Sequence, residues 1–351
     1  MLNCLQAGRA LAALAVLAFH LSIAFGDPVY GDTPIGVSIT GHGNLGVDFF
    51  FVLSGFIILN AHHKDIGQPK RWAVYLWRRF ARVYPIYWIY AGGFCFLLLL
   101  GFGRLAQPPK DLAAWLSTFS LVRFSVDQPP LHVAWTLFHE VAFYAIFSIL
   151  ILNRWLGMAA LGAWAAACLA FGHYYADDGL ATVWHVYLSA YNLQFFIGMG
   201  AYLLYRHGRW PWLLFAAGLM VAALATYLAY AADHVIHLLF VSGFGLSISG
   251  ASILEERGAL KSPQWLVRLG GASYSLYLVH VPVSGFLLRL AKVVGLTARI
   301  PAGALWWVVF VATAAVAYGA WILLEKPLLK ALRGRATPAP QTASLPATPA
   351  P

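Results

Sequence analysis

Arg9-Ala-Leu-Ala-Ala-Leu-Ala-Val-Leu-Ala-Phe19-His20-Leu-Ser-Ile-Ala-Phe25 is apolar apart from one serine, one arginine and one histidine. A run of this length is what a helix needs to cross a hydrocarbon core. On a helix, eleven steps of about 100° return Arg9 and His20 to nearly one azimuth, roughly 16 Å apart along the axis. Ionisable groups inside a span are costly, so a cation and an imidazole on one stripe read first as function.

The rest of the chain repeats this pattern. Of 351 residues, 61% are hydrophobic and 10% charged, and mean hydropathy is +0.71. That composition excludes an ordinary soluble domain. Long aliphatic runs predict an all-α, polytopic membrane protein of ten spans, near 5–25, 44–61, 83–103, 132–152, 156–173, 185–205, 211–231, 236–254, 273–291 and 302–324. The short alternating strands of a membrane barrel are absent from the sequence. The first run carries Arg9 and His20 and has no small-x-small cleavage site, so it reads as a retained span.

Basic residues set the orientation. Of the 23 Lys and Arg, an inside N-terminus places sixteen in inner loops and the tail and six outside, with Arg9 set aside. Both termini are therefore expected in the cytoplasm. The same distribution explains the net charge of +10 through topology, and no nucleic-acid partner is expected. The expected organisation is a transmembrane domain over 1–335, then a disordered cytoplasmic tail over 336–351, rich in Pro, Ala, Thr and Ser. No internal repeat stands out, which speaks against many transporter folds. Cys4, Cys95 and Cys168 lie singly in or beside apolar runs, as small buried hydrophobes. His62-His63 has no partners at ligand spacing, so no metal site is expected.

Several ionisable groups fall inside spans. Asp48 opens the second span in Gly46-Val-Asp-Phe-Phe-Phe-Val-Leu-Ser-Gly55. The assumed topology puts it at the depth of His20, where a carboxylate would orient the imidazole as a general base. The competing reading is a buried Asp–His pair that only joins two helices. Glu140, in Ala134-Trp-Thr-Leu-Phe-His-Glu-Val-Ala-Phe-Tyr144, could bind a hydroxyl, pair with Arg9 or position His20; a structural ion pair is equally open. In Arg71-Trp-Ala-Val-Tyr-Leu-Trp-Arg-Arg-Phe-Ala-Arg-Val-Tyr-Pro85, Arg78 and Arg82 are four apart and share a face. These arginines suit either headgroup anchoring or a cytoplasmic phosphate site. His280 follows Ser273-Tyr-Ser-Leu-Tyr-Leu-Val, and local hydrogen bonding is its simplest role. Glu325-Lys-Pro327 closes the last span, where Glu325 is expected to pair locally. Tyr174, Tyr175 and Trp184 suit either sugar stacking or an interfacial belt.

Taken together, these segments resemble acyltransferase family 3, the integral membrane O-acyltransferases. The resemblance rests on Arg9-x10-His20, Gly46–Gly55, Arg78-Arg79-x-x-Arg82-Val-Tyr-Pro85, Trp135-Thr-Leu-x-x-Glu140-x-x-Phe143-Tyr144, Ser273–His280 and Glu325-Lys-Pro327, six motifs in order. It implies ten core helices in a bacterial cytoplasmic (inner) membrane. It also implies transfer of an acyl group, commonly acetyl, from cytoplasmic acyl-CoA to a carbohydrate hydroxyl, with no permanently bound cofactor. His20 would match the essential histidine and Arg9 the arginine associated with acyl-CoA binding, with Arg78, Arg79 and Arg82 on the donor side. Asp48 and Glu140 join His20 as catalytic candidates from the reading of the spans above. Ser54, Tyr144, Tyr277 and His280 are candidate substrate or supporting contacts. His139 departs from the usual residue before the glutamate. No Ser or Cys is poised as a nucleophile, which favours direct transfer over an acyl-enzyme. A permease or flippase for a glycan or lipid-linked sugar, and a non-catalytic receptor, are the rival classes. Acceptor and oligomeric state are left open by the sequence.

Overall fold

The structure is a computed structural model describing residues 2–27, 40–101, 106–176, 182–228 and 234–333, the side chains of 173–176, 225–228, 234–236 and 333 excepted. The tail over 336–351 lies outside the described residues, as do the side chains of Tyr174 and Tyr175.

Among the described residues all regular secondary structure is helical. In order, the helices are α1 (Asn3–Phe25), α2 (Gly46–His62), α3 (Trp72–Leu99), α4 (Leu112–Ser120), α5 (Trp135–Leu152), α6 (Arg154–Ala176), the one-turn α7 (His185–Leu188), α8 (Leu193–His207), α9 (Pro211–Leu228), α10 (His234–Glu256), α11 (Gln264–Gly271), α12 (Ser273–Val293), α13 (Ala302–Ala320) and α14 (Lys326–Arg333). Among the described residues eight helical stretches are long and apolar enough to cross a membrane, and Pro211–Leu224 is a shorter apolar helix. The expected single span over 185–205 is instead broken into α7, a short turn at Ala190–Asn192 and α8. The Ser189 side chain accepts from the Tyr191 amide there, capping the new start.

Helix contact by small residues sets the registers that matter. A Cβ on Gly55 would lie 2.0 Å from the Phe195 carbonyl oxygen, and one on Gly198 would lie 1.9 Å from that of Val52. Only glycine permits this approach of α2 and α8, the small-residue packing typical of membrane helices. Between α1 and α2, Gly46 abuts the backbone of Ala12 and Gly43 that of Ala15. The two helices run antiparallel, with Asp48 level with the first half of α1 and the chain near 43 approaching Phe19.

The core lies between α1, α2, α3, α5, α8, α10 and α12. Phe56, Tyr75, Tyr87, Phe143, Phe147 and Phe195 are fully buried there. Phe143 stacks on Phe195 with ring centres 4.3 Å apart, joining α5 to α8. Trp155, Trp212, Leu213, Phe286, Trp307 and Leu323 are exposed on the outside of the bundle. In water such a surface would aggregate; facing lipid it costs nothing.

Candidate active site

His20 lies in the last third of α1, half-buried, and faces His280 of α12 across the bundle. His20 Nδ1 lies 2.9 Å from the Val16 carbonyl oxygen and 3.2 Å from His280 Nε2. His280 is buried, and its Nδ1 lies 2.8 Å from the Tyr277 carbonyl oxygen and 3.2 Å from that of Leu276. The rings meet edge to face at 4.9 Å. Tyr277 is held in turn, its hydroxyl 3.0 Å from both the Val133 carbonyl oxygen and Thr136 Oγ1. It anchors the wall behind His280, which spends its hydroxyl on structure.

His20 also lines a cavity of about 440 Å³. Its walls come from the end of α3 (Phe94), the segment 106–110, the segment 127–133 and the middle of α12 (Val281, Pro282). These segments sit at the outer ends of the spans in the expected topology. The Tyr277–Val133 bond shows that the chain entering α5 dips to the depth of His280. The irregular backbone over 106–110 and 127–131 is tolerated because it lines that cavity. Pro108, Pro109, Pro129 and Pro130 fix that backbone in shape. Lys110 and Asp127, 3.9 Å apart, are charged groups on the same wall.

The expected His20–Asp48 pair does not form. The close packing of α2 on α8 turns buried Asp48 to Gln194 Nε2 at 2.6 Å and His237 Nε2 at 3.0 Å. The α1–α2 register also sets it deeper than His20. Asp48 therefore ties α2 to α8 and α10, and the partner of His20 comes from α12. Sequence reasoning missed His237 and Gln194; an ionisable histidine near the start of an apolar span was the available signal. His139, buried, similarly bonds Asn192 Oδ1 at 2.9 Å and joins α5 to the α8 entry.

At the Arg9 end of α1 lies a second polar cluster. Glu140 Oε1 accepts from the Tyr144 hydroxyl and faces Ser54 Oγ at 3.4 Å. These three side chains are thus brought together, and Glu140 touches neither His20 nor a close ion-pair partner. Arg9 lies within electrostatic reach of Glu140, Glu325, Arg82 and Tyr144. It makes no hydrogen bond or close ion pair among the described residues. Arg82 is committed: Nη1 lies 2.8 Å from Glu325 Oε1. Glu325, fully buried, accepts on its other oxygen from Ser275 Oγ at 2.6 Å and from the Ser275 amide.

This corrects two expectations. Glu325 pairs across the bundle, because a π-turn at Trp321–Glu325 widens the helix and directs the carboxylate inward. Arg82 therefore does not share a free basic face with Arg78, which is exposed. Arg79 lies between, its guanidinium over the Tyr144 ring at 5.6 Å and beside His62 Nε2 at 3.4 Å. His62, whose Nδ1 meets Asp65 at 2.8 Å, closes that inner corner. No group of three or more His, Cys, Asp or Glu able to hold a metal occurs among the described residues, and the three cysteines are unpaired with one another.

With that geometry in view, the comparison with known proteins is decisive. Residues 2–325 match the acyltransferase domain family of membrane acyltransferases. The chain belongs to this family. It is a multi-pass membrane acyltransferase. It is 29% identical over 311 residues to the exopolysaccharide production protein ExoZ of Rhizobium meliloti, covering 85% of this chain and 93% of that one. It is 28% identical over 325 residues to the acyltransferase MdmB of Streptomyces mycarofaciens, covering 80% and 79%. Nodulation protein 10 of Rhizobium leguminosarum is 24% identical over 358 residues, covering 92% of each. No solved structure matches the chain.

Proposed function

We propose that this acyltransferase moves an acyl group, acetyl by preference, from cytoplasmic acyl-CoA to a carbohydrate hydroxyl on the outer side of a bacterial cytoplasmic membrane. One observation carries the reading: His20 sits on the cavity at one end of the α1 stripe whose other end holds Arg9. The base and the cation occupy one helix, roughly 16 Å apart along its axis. That separation is comparable to an extended pantetheine arm, so the thioester reaches the base while the nucleotide stays inside.

In this mechanism His20 Nε2 takes the proton of the acceptor hydroxyl. The oxygen forms the new ester bond to the thioester carbonyl, and the carbon–sulfur bond breaks. The thiolate recovers the proton from His20 Nε2 and leaves as free CoA, so no covalent enzyme intermediate is needed. Arg78 and Arg79, at the inner face, are the groups left to meet the donor phosphates, since Arg82 is spoken for by Glu325. Arg9 supplies positive charge further in.

The printed name of ExoZ refers to exopolysaccharide production, and it supports a glycan as the acceptor class. Purified protein in detergent, given acetyl-CoA and a panel of oligosaccharides and lipid-linked sugars, tests the reading. Acceptor-dependent release of free thiol with matching ester on the glycan is expected. Thiol release that no hydroxyl acceptor stimulates would overturn it.

A further inference from the structure

The partners of His20 and His280 leave one consistent placement of protons. His280 Nδ1 faces two backbone carbonyls, of Tyr277 and Leu276, which only accept. It therefore carries the proton. A neutral imidazole protonated at Nδ1 has a bare Nε2, and that lone pair is what His280 presents to His20 Nδ1 at 3.2 Å. His20 Nδ1 then faces two acceptors, His280 Nε2 and the Val16 carbonyl oxygen at 2.9 Å, and must carry its own proton. The lone pair of His20 is left on Nε2.

We propose that His280 is a positioning residue for the transfer reaction: through His20 Nδ1 it locks the tautomer and ring orientation that leave His20 Nε2 bare for the acceptor hydroxyl. The role is the one a carboxylate plays in a serine-hydrolase triad, where losing the correct tautomer is what abolishes turnover. Here the orienting group is neutral. When Nε2 takes the hydroxyl proton, His20 becomes an imidazolium whose Nδ1–H still donates to His280. The proton on Nε2 then goes to the departing thiolate and the starting tautomer returns. His280 gains and loses no proton in the cycle.

The chain is built to hold this contact. His280 is buried to 1% exposure, and its backbone acceptors lie within its own helix. Tyr277, one turn earlier, is fixed to Val133 and Thr136. Pro282 follows two residues later on the cavity wall, inside the helix, where it has no amide to donate to the preceding turn. His132 lies on the cavity side of His20 and within its electrostatic reach, and Lys110 and Asp127 line the same cavity. Asp48, the carboxylate that might have done this work, is occupied elsewhere.

The inference rests on His20 being the base, so the test separates the two. His20→Ala, His280→Leu and His280→Gln are purified and compared with the wild type for kcat and for KM toward each substrate. His280→Leu should lower kcat on the order of 100-fold, within the range general-base catalysis supplies, with both KM values nearly unchanged. His280→Gln, whose amide oxygen can accept from Nδ1, should recover to within about tenfold of wild type, the worth of one imperfect hydrogen bond. In 15N-histidine spectra, the His20 signals, assigned by their loss in His20→Ala, should show a protonated Nδ1 and a bare Nε2. A mixture of tautomers should appear in His280→Leu. Wild-type kcat in His280→Leu alongside an inactive His20→Ala would overturn the positioning role and leave the base intact. Normal transfer by His20→Ala would overturn the base itself. If His280→Leu does not fold, the wild-type tautomer decides: a protonated Nε2 on His20 contradicts the proposal.

Discussion

The two polar layers of the bundle solve opposite problems. In one, His20 and His280 are in contact, with no carboxylate bonded to either among the described residues and a cavity beside one of them. The other gathers four ionisable residues of both signs, Arg9, Arg82, Glu140 and Glu325, with one close pair and one arginine left uncommitted. A base has to be neutral before it can take a proton, and a neutral partner orients the ring without favouring the imidazolium in the resting state. A site that holds an anionic donor needs charge that is already there. In the proposed mechanism the layer rich in charge is not the layer that transfers the proton.

Substitutions can break this contrast in order of severity. His20→Ala should reduce acyl transfer by about 10²- to 10⁴-fold, the contribution of a general base, with little change in folded yield on gel filtration. Glu325→Leu should act through stability: it strands Arg82 in the bundle at a cost of about 3–5 kcal/mol. A melting curve in detergent should show that loss, and the double variant Arg82→Met/Glu325→Met should recover most of it. Asp48→Asn should cost on the order of 1–2 kcal/mol, weakening two hydrogen bonds to a charged acceptor, while turnover per folded molecule is retained. Loss of turnover without loss of stability there would restore Asp48 to the catalytic layer. Arg71→Ala removes an exposed pair with Asp65, 3.1 Å apart, and should shift stability by less than about 1 kcal/mol.

The contrast also explains what could be read from the chain without coordinates. Composition and run length identify helices across a membrane, because both follow from the solvent each segment must satisfy. Arg9 and His20 stand out because they break an apolar run on one face. The partner of His20 does not, since 260 residues separate it from His280 and helix order says nothing of which helices touch. Asp48 is misread for a related reason. Its depth depends on where α2 lies against α1 and α8, and that register is set by backbone contact at Gly43, Gly46, Gly55 and Gly198. A glycine's close approach leaves no polarity pattern to read. The direction of Glu325 depends on a single π-turn, which shifts a side chain around the helix without any mark in hydropathy. The break before α8 has a clearer signal, the Ser189 cap.

The most direct test of the two-layer account separates the substrates by side. The protein is reconstituted into sealed vesicles in one orientation, with acetyl-CoA confined to the face bearing Arg78 and Arg79 and the acceptor glycan confined to the face bearing the His20 cavity. The account predicts acetylated glycan on the cavity face, an equal amount of free CoA on the opposite face, and neither product with His20→Ala. Transfer that requires donor and acceptor on the same face, or that proceeds undiminished in His20→Ala, would contradict it.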